Sequence, residues 1–445
     1  MQIDIIQVKG IKVLKRKAWG QFESWRNGKT HQALLVTGAR QIGKTFLVRE
    51  FARAGWEHLF ELNLLENSAA REALSTATNA RELFMRLTAY ADVPLVPGKT
   101  LIFIDEIQEA ADAVTLIKFL MERRDFEYVL SGSMLGVELK NIRSAPVGFM
   151  NTVTMYPLDF EEYCWANGLA PEIVDEARRC FAECAKVDEF VHARLIGLFH
   201  RYLISGGMPE PVNAFVRTDN VPETRLQQEA IVGQYRLDIS KYARDRARVV
   251  RRIFDLMPEE VSRQNKRFKA GSIAGDSHVD RYENDFMWLA DANVAIPVYS
   301  VSEPRYPLSM SQESTKFKLF SNDVGLLTYQ CGMDVVRDIV NRRPDINFGA
   351  IYENAVAQEL LAHGHAPFYF KNRGVGELDF VVQGPRQRVV PIEVKSGKSY
   401  KRHSALTKAI SVENWGIEQA IVLYDGNVEQ DGKVIYLPVY MAMFV

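Results

Sequence analysis

The sequence predicts an α/β protein whose first part is built around a parallel sheet, and three observations predict this fold class. Short apolar segments alternate with helical stretches up to about residue 165, as in a sheet covered by helices. A glycine-rich loop separates one apolar segment from a helix, and a second apolar segment ends in two carboxylates. Because ligands of open α/β sheets bind at the carboxyl ends of strands, both features indicate one functional edge.

The glycine-rich loop follows the first apolar segment. It fits the pattern G-x-x-x-x-G-K-[ST] and consists of Gly38, Ala39, Arg40, Gln41, Ile42, Gly43, Lys44 and Thr45. The two glycines allow a tight turn close to phosphates, and the loop amides form a concave anion site. Lys44 adds a point charge for the β- and γ-phosphates, and the Thr45 hydroxyl is a ligand for Mg²⁺. We therefore expect all eight residues to surround ATP.

The residues on either side of the loop support this interpretation. Residues 33–37 form an apolar run of the kind found in buried parallel strands. After the loop, Phe46, Leu47 and Phe51 recur at helical spacing, and the segment ends near Gly55. A strand, a loop and a helix in this order are the context that a phosphate-binding loop requires.

The second apolar segment, residues 101–104, runs directly into Asp105 and Glu106. Asp105 would hold Mg²⁺, usually through water, and Glu106 would orient or deprotonate the attacking water. On its own, this pair would be read as a strand-terminal turn or a helix cap. The phosphate loop favours the catalytic interpretation.

A third strand, residues 128–130, ends in Ser131, Gly132 and Ser133. A serine there would sense the γ-phosphate or hold the lytic water, whereas the alternative is an ordinary solvated loop serine. Ser131 is slightly preferred over Ser133. The expected catalytic residues are therefore Glu106, Lys44 and Ser131.

The composition is that of an ordinary globular protein. With 445 residues, two to four domains are expected. The formal net charge is −1, so any nucleic-acid or membrane binding must come from a local patch. We expect a cytoplasmic location, because no run of about 18 apolar residues and no secretory signal is seen. The four cysteines include no C-x-x-C pair and are expected to be reduced thiols.

The pattern of elements divides the chain into four regions. Apolar segments at residues 58–64 and 152–155 bring the predicted strands of the first region to five. Helical, charged sequence follows, with a Gly-Gly-Met-Pro loop at 206–209, and an apolar strand is predicted at 295–299. The predicted regions are an ATPase domain (1–165), a helical region (166–234), a winged-helix-like basic region (235–333) and a nuclease-like domain (334–445).

A basic segment spans residues 241–270. Ten bases stand against four acids there, which leaves a local charge of +6. The bases are Lys241, Arg244, Arg246, Arg248, Arg251, Arg252, Arg263, Lys266, Arg267 and Lys269. Such a segment suits contact with the backbone of DNA or RNA. The alternative is a solvated or inter-domain face.

The last region combines a helix at 351–354 with two strands at 377–382 and 389–395, which are expected to form a hairpin. Glu393 and Lys395 are two apart and would share a strand face. The four candidate residues are Glu353, Asp379, Glu393 and Lys395. Asp379 and Glu393 would bind a metal, Lys395 would position or activate water, and Glu353 would add an acid, as in a Mg²⁺-dependent phosphodiesterase.

Together these features resemble a family of prokaryotic AAA-type P-loop ATPases. Its members carry a C-terminal domain of unknown function whose last part is similar to the PD-(D/E)xK nuclease fold. The resemblance spans nearly the whole chain. It rests on Gly38–Thr45, Leu101–Glu106, Leu130–Ser133, residues 156–163 (YPLDFEEY), residues 206–209 (GGMP) and the four C-terminal candidate residues.

This resemblance implies an additional-strand sheet in which the strand before the phosphate loop is flanked by the Asp105 strand and the fifth strand. It also implies a winged-helix-like middle. Relatives often place a Gly-Arg pair before the fifth strand, where the arginine acts on the γ-phosphate. This chain has Gly148 and Phe149 there, so the expectation of a trans-acting arginine and of ring assembly is weakened, and Arg143 is a substitute candidate.

Three functions are therefore expected. The first is an ATP-binding and ATP-hydrolysing switch, dependent on Mg²⁺, whose nucleotide state controls the C-terminal half. The second is an ATP-regulated, metal-dependent nuclease acting on DNA or RNA. In a variant of this second function, the site is degenerate and only binds nucleic acid. The third is a non-catalytic platform for a protein partner.

Overall fold

The chain folds into two units in the structure, which is a computed structural model. The residues described are 7–8, 11–28, 30–138, 148–263, 268, 273, 282–341, 348–397 and 399–445. The N-terminal unit comprises Lys15–Tyr156 and Asp291–Asn293. The C-terminal unit comprises the described parts of residues 1–14, 157–290 and 294–445.

The strands of the N-terminal unit are preceded in the chain by a short antiparallel pair, β1 (Gln7–Val8) and β2 (Ile11–Lys12). The strands of the unit are β3 (Ala33–Thr37), β4 (His58–Asn63), β5 (Thr100–Asp105), β6 (Glu127–Gly132) and β7 (Met150–Thr154). Its helices are α1 (Ala18–Asn27), α2 (Lys44–Gly55), α3 (Ser68–Ser75), α4 (Ala80–Ala89), α5 (Ala111–Arg123) and α6 (Leu135–Glu138). All five predicted strands of this region are present.

The five strands form one parallel sheet in the order β4-β5-β6-β3-β7. The prediction that the Asp105 strand flanks the strand before the phosphate loop is wrong, because β6 lies between β5 and β3. Leu34 pairs with Val129, and Leu101 pairs with Glu127. The order could not be read from the strands themselves, since β3, β5 and β6 are all apolar and buried, which fits any interior position.

Apolar side chains on both faces hold this sheet between helices. On one face, Ile102, Ile104 and Leu130 pack in a cluster with residues of α3, α4 and α5, such as Leu83 and Ile117. On α1 and α2, Phe22 meets Phe51 edge to face, with ring centroids 5.3 Å apart. Burial of this surface fixes the strand ends that carry the polar residues.

From residue 157 onward the chain is richer in helices. They are α7 (Phe160–Ala166), α8 (Pro171–Glu183), α9 (Glu189–Ser205), α10 (Pro209–Thr218), α11 (Val221–Tyr242), α12 (Ala247–Ser262), α13 (Glu283–Asp291), α14 (Val324–Cys331), α15 (Met333–Val340), α16 (Gly349–Ala362) and α17 (Ser404–Ser411). None of the helices described in the structure is long and apolar enough to cross a membrane.

The same part of the chain contributes a second sheet. Its strands are β8 (Ala295–Val301), β9 (Gln312–Ser321), β10 (Phe368–Asn372), β11 (Gly376–Gln383), β12 (Val389–Val394), β13 (Ala420–Tyr424), β14 (Glu429–Asp431) and β15 (Val434–Pro438). The order is β14-β15-β13-β12-β11-β10-β8-β9, with parallel and antiparallel pairs. The predicted hairpin is present as β11 and β12, which pair antiparallel with Phe380 opposite Ile392.

The strand predicted at 295–299 belongs to this second sheet. It is the core of β8, and β8 pairs in parallel with β10, where Phe368 lies opposite Tyr299. The sheet therefore includes strands from both sides of the boundary expected at residues 333/334. Such pairing between distant segments leaves no local signal in the sequence.

The Gly-Gly-Met-Pro loop has a structural role in the C-terminal unit. Asp323, which is fully buried, caps α14 by accepting from the Leu326 amide and also accepts from the Gly207 amide. Gly206 has a φ of +68°, and a Cβ there would overlap the Asp323 carboxylate. The two glycines thus let the loop after α9 approach the α14 cap.

Candidate functional site

The phosphate loop connects β3 to α2 as the sequence predicts. Gly43 precedes α2 with a φ of +91°, and Gly38 has a φ of +135°. A Cβ at Gly38 would overlap the carbonyl oxygen of Met155. Both glycines are therefore required by the backbone, and the amides at the start of α2 face the site that the loop encloses.

Lys44 is buried and turns back over the loop. Its Nζ donates to the carbonyl oxygens of Gly38, at 3.0 Å, and Ala39, at 2.9 Å. These bonds keep the ammonium group at the centre of the loop. A phosphate bound by the loop amides would meet this positive charge.

The hydroxyl of Thr45 and the carboxylate of Asp105 meet beside the loop. Thr45 Oγ1 donates to Asp105 Oδ2 at 2.8 Å, and Asp105 is only 2% exposed. Asn63 Nδ2 lies 3.3 Å from the same oxygen, and Ser131 Oγ donates to Asp105 Oδ1. Three neighbouring strands, β4, β5 and β6, thus deliver Asn63, Asp105 and Ser131 to one point.

This oxygen-rich point fits Mg²⁺ delivered with a nucleotide. Mg²⁺ at such sites takes one or two protein oxygens, several waters and the phosphate oxygens. One hydroxyl and one carboxylate are therefore enough. Within the described ranges, no group of three or more His, Cys, Asp or Glu side chains is arranged to hold a metal by itself.

Glu106 follows Asp105 in a left-handed backbone conformation, with φ +56° and ψ +46°. Its Oε2 accepts hydrogen bonds from Gln108 Nε2 and, at 3.3 Å, from Ser133 Oγ. Gln108 is itself buried. The carboxylate predicted to act on water is thus held by two donors.

The structure assigns the two loop serines to different carboxylates. Ser131, the preferred candidate, contacts Asp105 and is fully buried. Ser133 contacts Glu106 instead. The catalytic assignment of Ser131 stays a prediction. Asn63 and Gln108 were missed, although a polar residue at the end of a strand next to β5 was a usable signal for Asn63.

Arg16 is a further residue that sequence reasoning missed. Its Nη1 donates to the carbonyl oxygen of Ile42 in the phosphate loop at 3.1 Å, and its Nη2 donates to that of Tyr156 at 2.5 Å. This buried guanidinium fixes the loop to the segment after β7. No motif marks it, because it lies 26 residues before Ile42. Arg143, the candidate for the γ-phosphate, lies outside the described residues.

The four C-terminal candidates come together around α16, β11 and β12. Asp379 Oδ2 accepts from the Val394 amide at 3.0 Å, beside Glu393, and Lys395 Nζ lies 3.0 Å from Glu393 Oε2. Glu393 is 3% exposed. Burial and the neighbouring Asp379 charge raise the pKa of Glu393 well above its usual range.

A second lysine, Lys318 of β9, enters this group and was not predicted. It is 1% exposed, and its Nζ lies 2.9 Å from Glu377 Oε1 and 3.8 Å from Glu353 Oε2. Burial lowers the pKa of Lys318, but the charges of Glu353, Glu377 and Asp379 outweigh it, so that the pKa is raised. Lys318 is therefore a buried ammonium ion surrounded by these three carboxylates.

The basic segment is partly used in ion pairs. Arg246 binds Asp285 through two bonds, and Arg263 pairs with Glu259 and Glu260. Arg248 and Arg252 are exposed on one face of α12, opposite the buried face that holds Ile253 and Phe254. Lys266, Arg267 and Lys269 lie outside the described residues.

Comparison with known structures gives distant likenesses, and three of them are described here. The Walker-type ATPase PABY2304 of Pyrococcus abyssi is 14% identical, over 72% of this chain and 96% of that chain, with a TM-score of 0.45. PCH-2 of C. elegans is 14% identical over 49% and 66%, with a TM-score of 0.26. ORC1 of Aeropyrum pernix, solved with DNA, is 12% identical over 75% and 93%, also with a TM-score of 0.26. Comparison with the curated proteins gives no match.

Comparison with protein families places three regions. A family described as a domain of unknown function (DUF8612) matches residues 196–336, and another domain of unknown function (DUF4143) matches residues 348–441. The family described as AAA domain matches residues 30–164, which include the phosphate loop, Asp105 and Glu106. Residues 30–164 therefore form an AAA domain.

Proposed function

We propose that this protein is a Mg²⁺-dependent, ATP-hydrolysing switch. The observation that carries the proposal is the 2.8 Å contact between Thr45 Oγ1 and Asp105 Oδ2 beside the phosphate loop. Mg²⁺, when bound with the nucleotide, neutralises charge on the β- and γ-phosphate oxygens. Thr45 and Asp105 are the residues that would hold it.

The residues of the chain have distinct tasks in hydrolysis. The loop amides bind the phosphates, and Lys44 exchanges the carbonyl oxygens of Gly38 and Ala39 for phosphate oxygens. Glu106 orients and deprotonates the attacking water. Gln108 and Ser133 keep the Glu106 carboxylate in place.

The switch would act through the end of β6. Ser131 contacts Asp105 and Ser133 contacts Glu106. Both carboxylates therefore accept hydrogen bonds from serines at the end of β6. A change in the γ-phosphate would alter these hydrogen bonds at the end of β6. The C-terminal half would respond to that change.

Two variants test the ATPase directly. Lys44→Ala should weaken ATP binding, measured by calorimetry, because the central ammonium group is lost. Glu106→Gln should retain binding and slow phosphate release by a factor on the order of 10²–10⁴. Lys99→Ala, at an exposed ion pair with Glu57, is the matched control. Turnover of Glu106→Gln equal to that of the wild type would overturn the role of this carboxylate.

A second candidate function is metal-dependent cleavage of DNA or RNA by the C-terminal unit. It is favoured by the close approach of Asp379 to Glu393, whose pKa is raised first by burial and then by the Asp379 charge. Both residues would hold Mg²⁺ or Mn²⁺, and Lys395 would position water. In a nicking assay Asp379→Ala should abolish cleavage. Nicking that persists in this variant would indicate a contaminant.

Binding to nucleic acid is tested separately at α12. Arg244, Arg248 and Arg252 form no ion pair with the carboxylates that the structure describes, and all three are exposed. Affinity for duplex DNA should fall with salt, with a slope near −0.9 for each phosphate contacted. Arg248→Ala with Arg252→Ala should reduce that slope, whereas Arg179→Ala, paired within α8, should not. Absence of binding at every salt concentration would favour the protein-partner platform.

A further inference from the structure

A cavity of about 490 Å³ opens at the carboxyl ends of β12 and β13 in the C-terminal unit. The loops that follow these two parallel strands line it, through Ser396 and Gly397 on one side and Asp425 and Gly426 on the other. This edge of a sheet is where α/β folds bind ligands, and the volume is that of a small-molecule site. The cavity begins directly after Lys395 of the candidate cleavage group.

Aromatic rings form much of the cavity wall. Tyr352 and Phe348 lie on one side, with ring planes inclined by only 15°. Tyr400 and Tyr424 line another part and stack on each other, with centroids 4.3 Å apart. Such rings favour a flat, unsaturated ligand, because nucleobases stack on aromatic side chains.

The polar groups of the cavity include two carboxylates. Asp425 Oδ1 accepts from Tyr352 Oη at 2.8 Å, and Tyr352 Oη in turn lies 2.9 Å from His200 Nε2. Glu429 Oε1 lies 3.1 Å from Tyr400 Oη. Hydrogen bonds from Lys401, Tyr400 and Tyr424 lower the pKa of Glu429, so this carboxylate is ionised.

These groups decide what chemistry the cavity accepts. A carboxylate offers about four acceptor sites on two oxygens, so Asp425 can accept from a ligand while Tyr352 orients it. Asp and Glu accept in this way from the exocyclic amino group of cytosine. A flat ring with an amino edge satisfies both the aromatic wall and Asp425.

We propose that this cavity binds an unpaired nucleobase that carries an exocyclic amino group, with Asp425 as the residue that selects the amino edge. The proposal deepens the second candidate function, because it gives the C-terminal unit a base-binding site next to its cleavage group. Free nucleosides and single-stranded nucleic acid present the same chemistry. Two arms of one experiment separate these sources.

The first arm compares cytidine with uridine, which share a ring size and differ at the amino position. Neither carries a phosphate, so binding does not depend on the phosphate loop. In calorimetric titrations of the full chain, cytidine should bind roughly tenfold more tightly than uridine. Asp425→Asn should abolish that preference, since an amide can accept from cytidine or donate to uridine. Asp431→Asn, an exposed carboxylate on β14 outside the cavity, should keep it.

The second arm replaces the nucleosides by oligo(dC) and oligo(dT). A preference for oligo(dC) over oligo(dT) that is lost in Asp425→Asn would identify single-stranded nucleic acid as the source of the bound base. A preference for cytidine without one among oligonucleotides would identify a free nucleoside. Tyr352→Phe should reduce the cytidine preference while ATP turnover stays at the wild-type rate. Equal affinity for cytidine and uridine, or a preference that survives in Asp425→Asn, would overturn the proposal and leave the ATPase and the cleavage tests unaffected.

Discussion

Thr45 Oγ1 lies 2.8 Å from Asp105 Oδ2, although sixty residues separate the two in the chain. Thr45 belongs to the first turn of α2 and Asp105 is the last residue of β5. Since β6 and β3 lie on the same side of β5 in the sheet, the carboxylate reaches across the end of β6 toward the loop. This contact brings together the hydroxyl and the carboxylate that, in the proposed function, would hold Mg²⁺.

Thr45→Val should uncouple ATP binding from Mg²⁺. The variant keeps the shape of the side chain but loses the hydroxyl that donates to Asp105 and that would bind the ion. A fluorescent ATP analogue should bind the wild type more weakly after EDTA is added, and the variant should respond much less. Thr88→Val, within α4, serves as the control. An unchanged response to EDTA in Thr45→Val would contradict the assignment.

Gln108→Ala should lower kcat and leave ATP affinity nearly unchanged. Gln108 Nε2 donates to Glu106 Oε2, so its loss frees the carboxylate that we propose acts on the attacking water. A reduction of roughly ten- to a hundredfold is expected, less than the full effect of a general base. Ser133→Ala removes only the 3.3 Å contact and should have a smaller effect. A rise in the Kd for ATP at unchanged kcat would assign Gln108 to binding instead.

Asp323 should make stability depend on pH. Burial raises the pKa of Asp323 to about 6. Hydrogen bonds from the amides of Gly207, Leu326, Gly325 and Met208 lower the pKa but do not outweigh burial. Because the folded pKa exceeds the unfolded one, this group stabilises the fold below about pH 4, and the contribution is lost as pH rises through about 6.

The measurement is urea unfolding of the wild type and Asp323→Asn at pH 4.5 and pH 7.5. Between pH 4.5 and pH 7.5, the free energy of unfolding of the wild type should fall by about 2 kcal/mol more than that of the variant. Asp334→Asn, whose side chain is 90% exposed, should follow the wild type. A wild type that gains stability relative to Asp323→Asn on raising the pH would reverse the sign and refute the argument.

Lys318→Met should destabilise the C-terminal unit strongly. The change removes the ammonium group from among Glu353, Glu377 and Asp379 and leaves buried charge uncompensated, at a cost of about 3–5 kcal/mol. Lys371→Met breaks a 2.6 Å pair with Glu377 at a lysine whose side chain is 43% exposed, and should cost less than about 1 kcal/mol. Equal losses of unfolding free energy in Lys318→Met and Lys371→Met, measured by urea unfolding, would show that Lys318 is not the compensating charge.

The N-terminal unit could be predicted from its sequence much further than the rest. The phosphate loop and the acids after β5 have fixed residue types because phosphate and Mg²⁺ require them, so local pattern was enough to locate β3, α2 and β5. The order of strands was beyond reach, since β3, β5 and β6 each have a buried apolar centre that fits any interior position. Arg16 and Lys318 were missed because each acts on residues distant in the chain, and neither belongs to a motif.

The parallel pairing of β8 with β10 has a consequence for truncation. A fragment that starts at residue 334 would keep β10 to β15 but lose β8 and β9, with Lys318. The exposed backbone of β10 would then become an open edge ready to pair with other chains. Such fragments should aggregate. A fragment that starts just before residue 294, and so keeps β8 and β9, should aggregate less.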